Sequence, residues 1–225
     1  MHSVYDDGDA IAAGVRVGHH REIVGGLWDQ MGEHQMAFLK ARGLRPSDRL
    51  LDIGCGSLRL GHHAIAYLEP FGYFGTDINM SLIQAGHAAE LDDALRAKAP
   101  LSQFAANGDF DFDHLIVPID VAVAQSVFTH LPLNHLRRCL ARLAPHMAPG
   151  GRLYATYFLC PDDRDLQAPL PQPGGGVVTH DYKDPYHYRL ADLAFATDPA
   201  CWAFEPIGDW GHPRGQQISA WRRLT

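Results

Sequence analysis

The sequence predicts an α/β domain built on a mostly parallel sheet with helices on both faces. Three observations carry that expectation. Short apolar runs alternate with segments of helical periodicity, the two closing runs are joined by too few residues for a parallel crossover, and a glycine-bearing turn sits where the first strand hands over to a helix. At 225 residues the chain has the size of one domain, and a 46% hydrophobic fraction supplies its core.

Residues 1–20 are polar, glycine-bearing and aperiodic, and they read as a flexible N-terminal arm ahead of a domain over 21–225. Apolar residues then recur at helical spacing from Ile23 to Arg42, with Gly43 as the stop. Pro46-Ser47-Asp48 turns into RLLDIG, a short buried strand. A helical pattern over 57–68 ends at Glu69-Pro70. YFGTDI (73–78) reads as a second strand, and 81–97 as a second helix with Ser81 near its N-cap. DVAVAQ (120–125) is a buried strand, and a helix over 134–147 closes at Pro149-Gly150-Gly151. RLYATYFL (152–159) is the next strand. Residues 161–185, rich in Pro, Gly and Asp, form a long irregular insertion of the kind that serves as a lid or binding loop. A short helix over 190–197 precedes strand-like runs at 203–210 and 216–222, separated by GHPRG, which must pair antiparallel.

Composition excludes several function classes. The formal charge of −7 argues against gripping nucleic acid or an anionic membrane through bulk electrostatics. Four cysteines, Cys55, Cys139, Cys160 and Cys201, show no CxxC spacing, so reduced thiols in a cytoplasmic protein are expected. The first 24 residues lack the unbroken apolar stretch of a signal peptide, and no run approaches a membrane span. Fourteen histidines form an unusual excess. His19-His20 and His62-His63 are adjacent pairs, not an i, i+4 pair on one helix face, and HExxH is absent, so no metal site is expected.

LLDIGCGSLRLG (50–61) is the most informative string. Gly54 and Gly56 fall at a strand-to-helix turn, where residues without a Cβ let a ligand lie against the backbone. Asp77 ends the second strand 25 residues after Asp52, where an acidic group can hold ribose hydroxyls. A dinucleotide fingerprint requires a third glycine at the position held by Arg59.

The D-x-G-x-G form resembles motif I of the class I S-adenosylmethionine (SAM) dependent methyltransferases, whose cofactor carries no phosphate. The resemblance continues. Asp77 and the following Ile78 match the ribose-binding position. Asn107-Gly108-Asp109-Phe110 resembles the adenine motif, with Asp109 on the amino group and Phe110 over the ring. DVAVAQSVFTHL (120–131) is similar to motif IV, whose end, here Gln125, faces the methionine part of SAM. LAPHMAPGGRLYATYF (143–158) resembles the helix, turn and strand that follow. GGLWDQMGEHQ, GCGSLR, QSVFTHL and GHPRGQQ together resemble a subgroup of small bacterial methyltransferases over residues 20–222. Leu58 departs from that pattern, standing where many members carry another glycine. The implied fold is a Rossmann-like seven-stranded sheet with a reversed last strand. The implied cofactor is SAM, held by Trp28, Asp52, Gly54, Cys55, Gly56, Arg59, Asp77, Ile78, Asn107, Asp109, Phe110 and Gln125.

Some of these residues also have structural readings. Trp28 lines the SAM pocket or fills core, Arg59 pairs the SAM carboxylate or packs a helix, and Cys55 reads as a small packing residue in the glycine loop. His34, His87, His114, His135 and His146 are expected at the surface. His130, His187 and His212 fall on segments near the expected methyl acceptor, and His130 and His187 are the candidate general bases. The acceptor implied is a small molecule, a sugar or another natural-product hydroxyl or amine, with neither nucleic acid nor membrane as partner. The aromatic and histidine content of 180–188 (His180, Tyr182, Tyr186, His187, Tyr188) suits a polar acceptor. The oligomeric state is unreadable. An NAD-dependent oxidoreductase, a non-catalytic SAM-fold partner protein and a nucleic-acid methyltransferase remain as alternatives. Arg59 speaks against the first. The third lacks the Asp/Asn-Pro-Pro-aromatic signature.

Overall fold

A computed structural model describes Tyr5, residues 7–174 and residues 176–225. The chain divides into two compact units, one running to Val121 and one from Ala122.

In the first unit, β1 (Leu50–Ile53), β2 (Tyr73–Asp77) and β3 (Phe104–Ala106) lie in the order β3-β2-β1, and β4 (Ile119–Ala124) begins beside β1. All four β1 residues are buried, as a strand covered on both faces requires. β1 and β2 are parallel with Asp52 opposite Gly75, and β2 and β3 are parallel with Asp77 opposite Ala106. This register brings the end of β1 level with the end of β2.

The expected irregular arm carries a helix, α1 (Gly8–Arg16), whose Asp7 side chain accepts the Ala10 N–H and whose Ile11 is buried. The helix expected from Ile23 starts only at Trp28, as α3 (Trp28–Ala41), after a separate short helix, α2 (His20–Ile23). Gly25, Gly26 and Leu27 have φ of 93°, 61° and 49°, and three successive left-handed residues cannot continue a right-handed helix. The turn after β1 is longer than expected, so α4 spans only Gly61–Tyr67. The expected 81–97 helix is α5 (Met80–Ala89) followed by α6 (Asp93–Lys98). Asn79 rather than Ser81 stands at the start of α5, and Asp92 breaks the run by capping α6 at Leu95 N–H.

In the second unit the order is β4-β5-β10-β9, with β5 at Met147–Leu159, β9 at Trp202–Asp209 and β10 at Gln217–Arg223. β10 is antiparallel to both β5 and β9, so it is the reversed strand. Strands β1–β5, β9 and β10 make the seven expected, and β8 (His187–Tyr188) adds a short parallel pairing at the end of β5. The expected Pro149-Gly150-Gly151 turn is absorbed into β5, with Gly150 at φ 77°. The helices are α7 (Leu133–Leu143) and α8 (Leu190–Phe195). Within the insertion, β6 (Leu170–Pro171) and β7 (Val178–Thr179) form a small antiparallel pair. Among the described residues no helix is long and apolar enough to cross a membrane.

Candidate functional site

The glycine turn is fastened directly to the end of β2. Gly54 and Cys55 donate their N–H groups to Thr76 O at 2.7 and 2.9 Å, and Gly54 and Gly56 hold φ of 74° and 52°. Asp77 then accepts Gly56 N–H on Oδ2 and Asn79 N–H on Oδ1, both at 2.9 Å. Burial pushes the Asp77 carboxyl up, while the N–H groups of Asn79, Gly56 and Ile78 pull it back toward the ionised form. A carboxylate offers about four lone-pair directions, so acceptor capacity remains for a ribose hydroxyl.

The predicted adenine side is assembled on the same edge. Asn107 N–H donates to Asp77 O at 2.9 Å. The Asn107 amide brackets the next turn, donating to Asp111 O and accepting Asp111 N–H, both at 3.0 Å. Exposed Ile78 lies beside Gly108, its Cγ2 3.5 Å from where a Cβ there would stand. Asp109 is exposed and Phe110 is buried at a left-handed φ of 55°.

A strap from the N-terminal segment is seated on this turn. Ser57 donates to His20 O at 2.9 Å, and Arg59 donates to Val24 O and Gly26 O at 2.9 and 3.1 Å. A Cβ on Gly56 would stand 2.6 Å from Val24 Cγ1. Glu90, after α5, accepts from His20 at 2.7 Å and from Arg21 at 2.8 and 2.6 Å, which ties α2 down. Trp28 is buried, stacked on His62 with centroids 6.0 Å apart, and covered by Arg21.

In the second unit, the segment after β4 and the insertion make a polar cluster. His130 Nδ1 lies 2.7 Å from Asp184 Oδ1. Ser126 N–H donates to Thr156 Oγ1 at 2.8 Å, and Gln216 joins both Ser126 Oγ and Thr156 Oγ1. Gln125 is buried, with its amide 3.5 Å from His212 Nε2.

Residues 51–153 match the family described as a methyltransferase domain. That match spans just under half of the chain, and the fold is that of a methyltransferase. Its fold is similar to that of magnesium protoporphyrin IX methyltransferase (ChlM) from Synechocystis PCC 6803 with bound SAM, at 16% identity and TM-score 0.62, covering 99% of this chain and 100% of that one. It is also similar to DhpI in complex with SAH, at 14% identity and TM-score 0.61, covering 96% and 97%. Streptomyces venezuelae DesVI matches at 16% identity and TM-score 0.57, covering 97% and 99%.

The fold brings together Gly54, Gly56, Asp77, Ile78 and Asn107, but it assigns several predicted residues to other work. Asp52 is buried and its Oδ2 accepts the Tyr73 hydroxyl at 2.8 Å, so it braces β1 against β2 from below the turn. Burial raises its carboxyl to about 7, against the opposing pull of Tyr73 and Arg59. Arg59, expected on the SAM carboxylate, spends its Nη1 on two strap carbonyls instead. Cys55 is buried, with Sγ 3.0 Å from a Cβ built on Gly75, and burial pushes its thiol well up, which suits packing and not reactivity. Leu58 adopts φ 68°, so the backbone keeps the glycine-like conformation although the residue is leucine.

His187 is a poor base in this arrangement. It is buried, its Nε2 faces Leu166 O at 2.9 Å and its Nδ1 faces Thr179 Oγ1 at 2.8 Å. A carbonyl only accepts, so Nε2 carries the proton and Nδ1 points into the insertion. His187 therefore fastens the β6–β7 pair. His87 is likewise buried and bonded to Ala99 O at 3.0 Å, not at the surface, and His34, His114, His135 and His146 are half-buried. Sequence reasoning missed Asp184, Tyr73 and Glu90. Asp184 lies in the irregular 161–185 insertion, and nothing in the spacing links it to His130.

Proposed function

We propose that this methyltransferase moves the SAM methyl group to a hydroxyl or amine of a small molecule, with residues 21–225 as its working domain and 161–185 as the lid. The link between Asp77 and Gly56 carries the cofactor part of the reading. It puts an acceptor-only carboxylate, with lone pairs to spare, beside a turn that Gly54 and Gly56 hold in the left-handed region. That suits a ribose diol. Arg59 gives its Nη1 to two carbonyls, and no third glycine brings a helix close, so a pyrophosphate has poor accommodation there.

Gly54, Gly56, Asp77, Ile78, Asn107, Asp109 and Phe110 are the residues we assign to the nucleoside, with Trp28 and the strap over the turn. SAM supplies an electrophilic methyl carbon whose bond to sulfur breaks as the acceptor atom attacks. The protein's part is alignment and exclusion of water, which yields much of the rate for such a displacement. His130 is the proposed base: with Nδ1–H directed to Asp184, Nε2 is the basic nitrogen and takes the acceptor's proton. ChlM, by its name, methylates a small molecule, and the charge of −7 disfavours a phosphate-tracking groove; both support a small acceptor.

Calorimetry with S-adenosylhomocysteine (SAH) tests the cofactor reading. Wild-type protein is expected to bind, and Asp77→Ala to lose affinity by about tenfold or more, as expected for a lost pair of hydrogen bonds. No binding by wild type, or undiminished binding by the variant, overturns it.

A further inference from the structure

We propose that Gln125, turned by His212, is a hydrogen-bond seat for a hydroxyl oxygen of the methyl acceptor. The proposal rests on the methyltransferase reading and deepens it, naming an oxygen as the atom held. Gln125 follows β4 directly and is 8% exposed, as is His212. Its amide nitrogen stands 3.5 Å from His212 Nε2, and its Oε1 has no partner.

The tautomer of His212 decides what that amide offers. Arg214 N–H donates to His212 Nδ1 at 3.1 Å, so Nδ1 holds a lone pair and the neutral ring carries its proton on Nε2. Two N–H groups cannot bond one another. A half-turn of the amide resolves this, because amide oxygen and nitrogen exchange places within the same outline. Oε1 then accepts from His212 Nε2, and the NH2 group takes the partnerless position.

The neighbouring polar groups do not consume that donor. Ser126, Thr156 and Gln216 satisfy one another: Thr156 Oγ1 donates to Gln216 Oε1 at 2.7 Å, and Gln216 Nε2 donates to Ser126 Oγ at 2.9 Å. A buried amide left with an unmet hydrogen-bonding atom costs free energy until a ligand meets it. A hydroxyl oxygen fits, since it accepts from the amide and keeps its own proton for a base. An ammonium group does not, because it has no lone pair to offer.

Saturation-transfer NMR on SAH-loaded protein tests the seat, with glycerol, methyl glucoside and phenol as hydroxyl probes and ethylammonium as the cationic comparison. We expect at least one hydroxyl probe to bind wild type and ethylammonium not to bind. Gln125→Leu is expected to weaken that probe about tenfold while SAH affinity by calorimetry stays within about twofold, the loss of one hydrogen bond. If Gln125→Leu fails to fold, Gln125→Asn, which keeps the amide but draws it back by one methylene, is expected to weaken the probe likewise. No hydroxyl probe on wild type, an unaltered probe in the variants, or a variant that loses SAH instead overturns the seat. Failure of SAH to bind wild type overturns the reading beneath it, and calorimetry shows that separately.

Discussion

His130 Nδ1 and Asp184 Oδ1 are 2.7 Å apart, so a carboxylate in the 161–185 insertion aims an imidazole in the segment after β4. The two side chains are 27% and 19% exposed, which leaves the pair reachable while shielding it from full solvation. With a hydroxyl acceptor found by screening, His130→Ala is expected to lower kcat by about 10²–10⁴-fold. Asp184→Asn should lose less, because the amide still holds the ring but not its charge. SAH affinity should be unchanged in both. Full turnover in His130→Ala would remove the base from the mechanism.

Gly56 is under two constraints at once. Its φ is 52°, and a Cβ would stand 2.6 Å from Val24 Cγ1. Gly56→Ala is expected to cost about 1–3 kcal/mol of stability and to weaken SAH binding. Adding Val24→Ala relieves the clash but not the dihedral strain, so melting curves should show partial recovery in the double variant. Complete recovery would mean that the backbone conformation matters little.

Asp52 makes stability fall as pH rises. Its ordinary value is 3.8, and burial lifts the folded value to about 7. Its contribution is therefore complete below about pH 3.8 and is lost as pH climbs through about 7. Asp52→Asn keeps an acceptor for Tyr73 but cannot ionise. Urea melts at pH 5 and pH 8 should show wild type losing on the order of 1–4 kcal/mol more than the variant across that interval. Parallel pH profiles would show that the carboxyl titrates normally.

Leu58 sets two opposing energies against each other. The leucine is fully buried yet holds φ 68°. Glycine would relieve about 1–2 kcal/mol of left-handed strain but forfeit about 3–5 kcal/mol of packing. Leu58→Gly is thus expected to lower stability by about 1–4 kcal/mol, and a stabilised variant would reverse that ordering.

The strands and the antiparallel closing pair were readable because their causes are local. LLDI and YFGTD are buried runs bounded by turn residues, and the short GHPRG connection allowed only antiparallel pairing. The site was half readable for the same reason: Gly54, Gly56 and Asp77 are fixed by strand ends, so their meeting follows from the topology. Helix breaks were lost where backbone chirality overrode periodicity, as at Gly25-Gly26-Leu27, or where a competing cap intervened, as at Asp92. Pairings across long separations, Asp184 with His130 or Glu90 with Arg21, leave no trace in spacing. Arg59 illustrates a further difficulty, since a cation beside a glycine turn looks the same in sequence whether it serves a ligand or two backbone carbonyls.

β10 lies between β5 and β9, both of which precede it in the chain. A ribosome making this protein therefore finishes the two flanking strands before the one that joins them. Until residue 223 emerges, β5 and β9 each present an unpaired edge, and the nascent unit has nothing to zip them together. Such open edges are where a growing chain is exposed to wrong pairings. β10 therefore acts as the keystone of the unit from Ala122 onward.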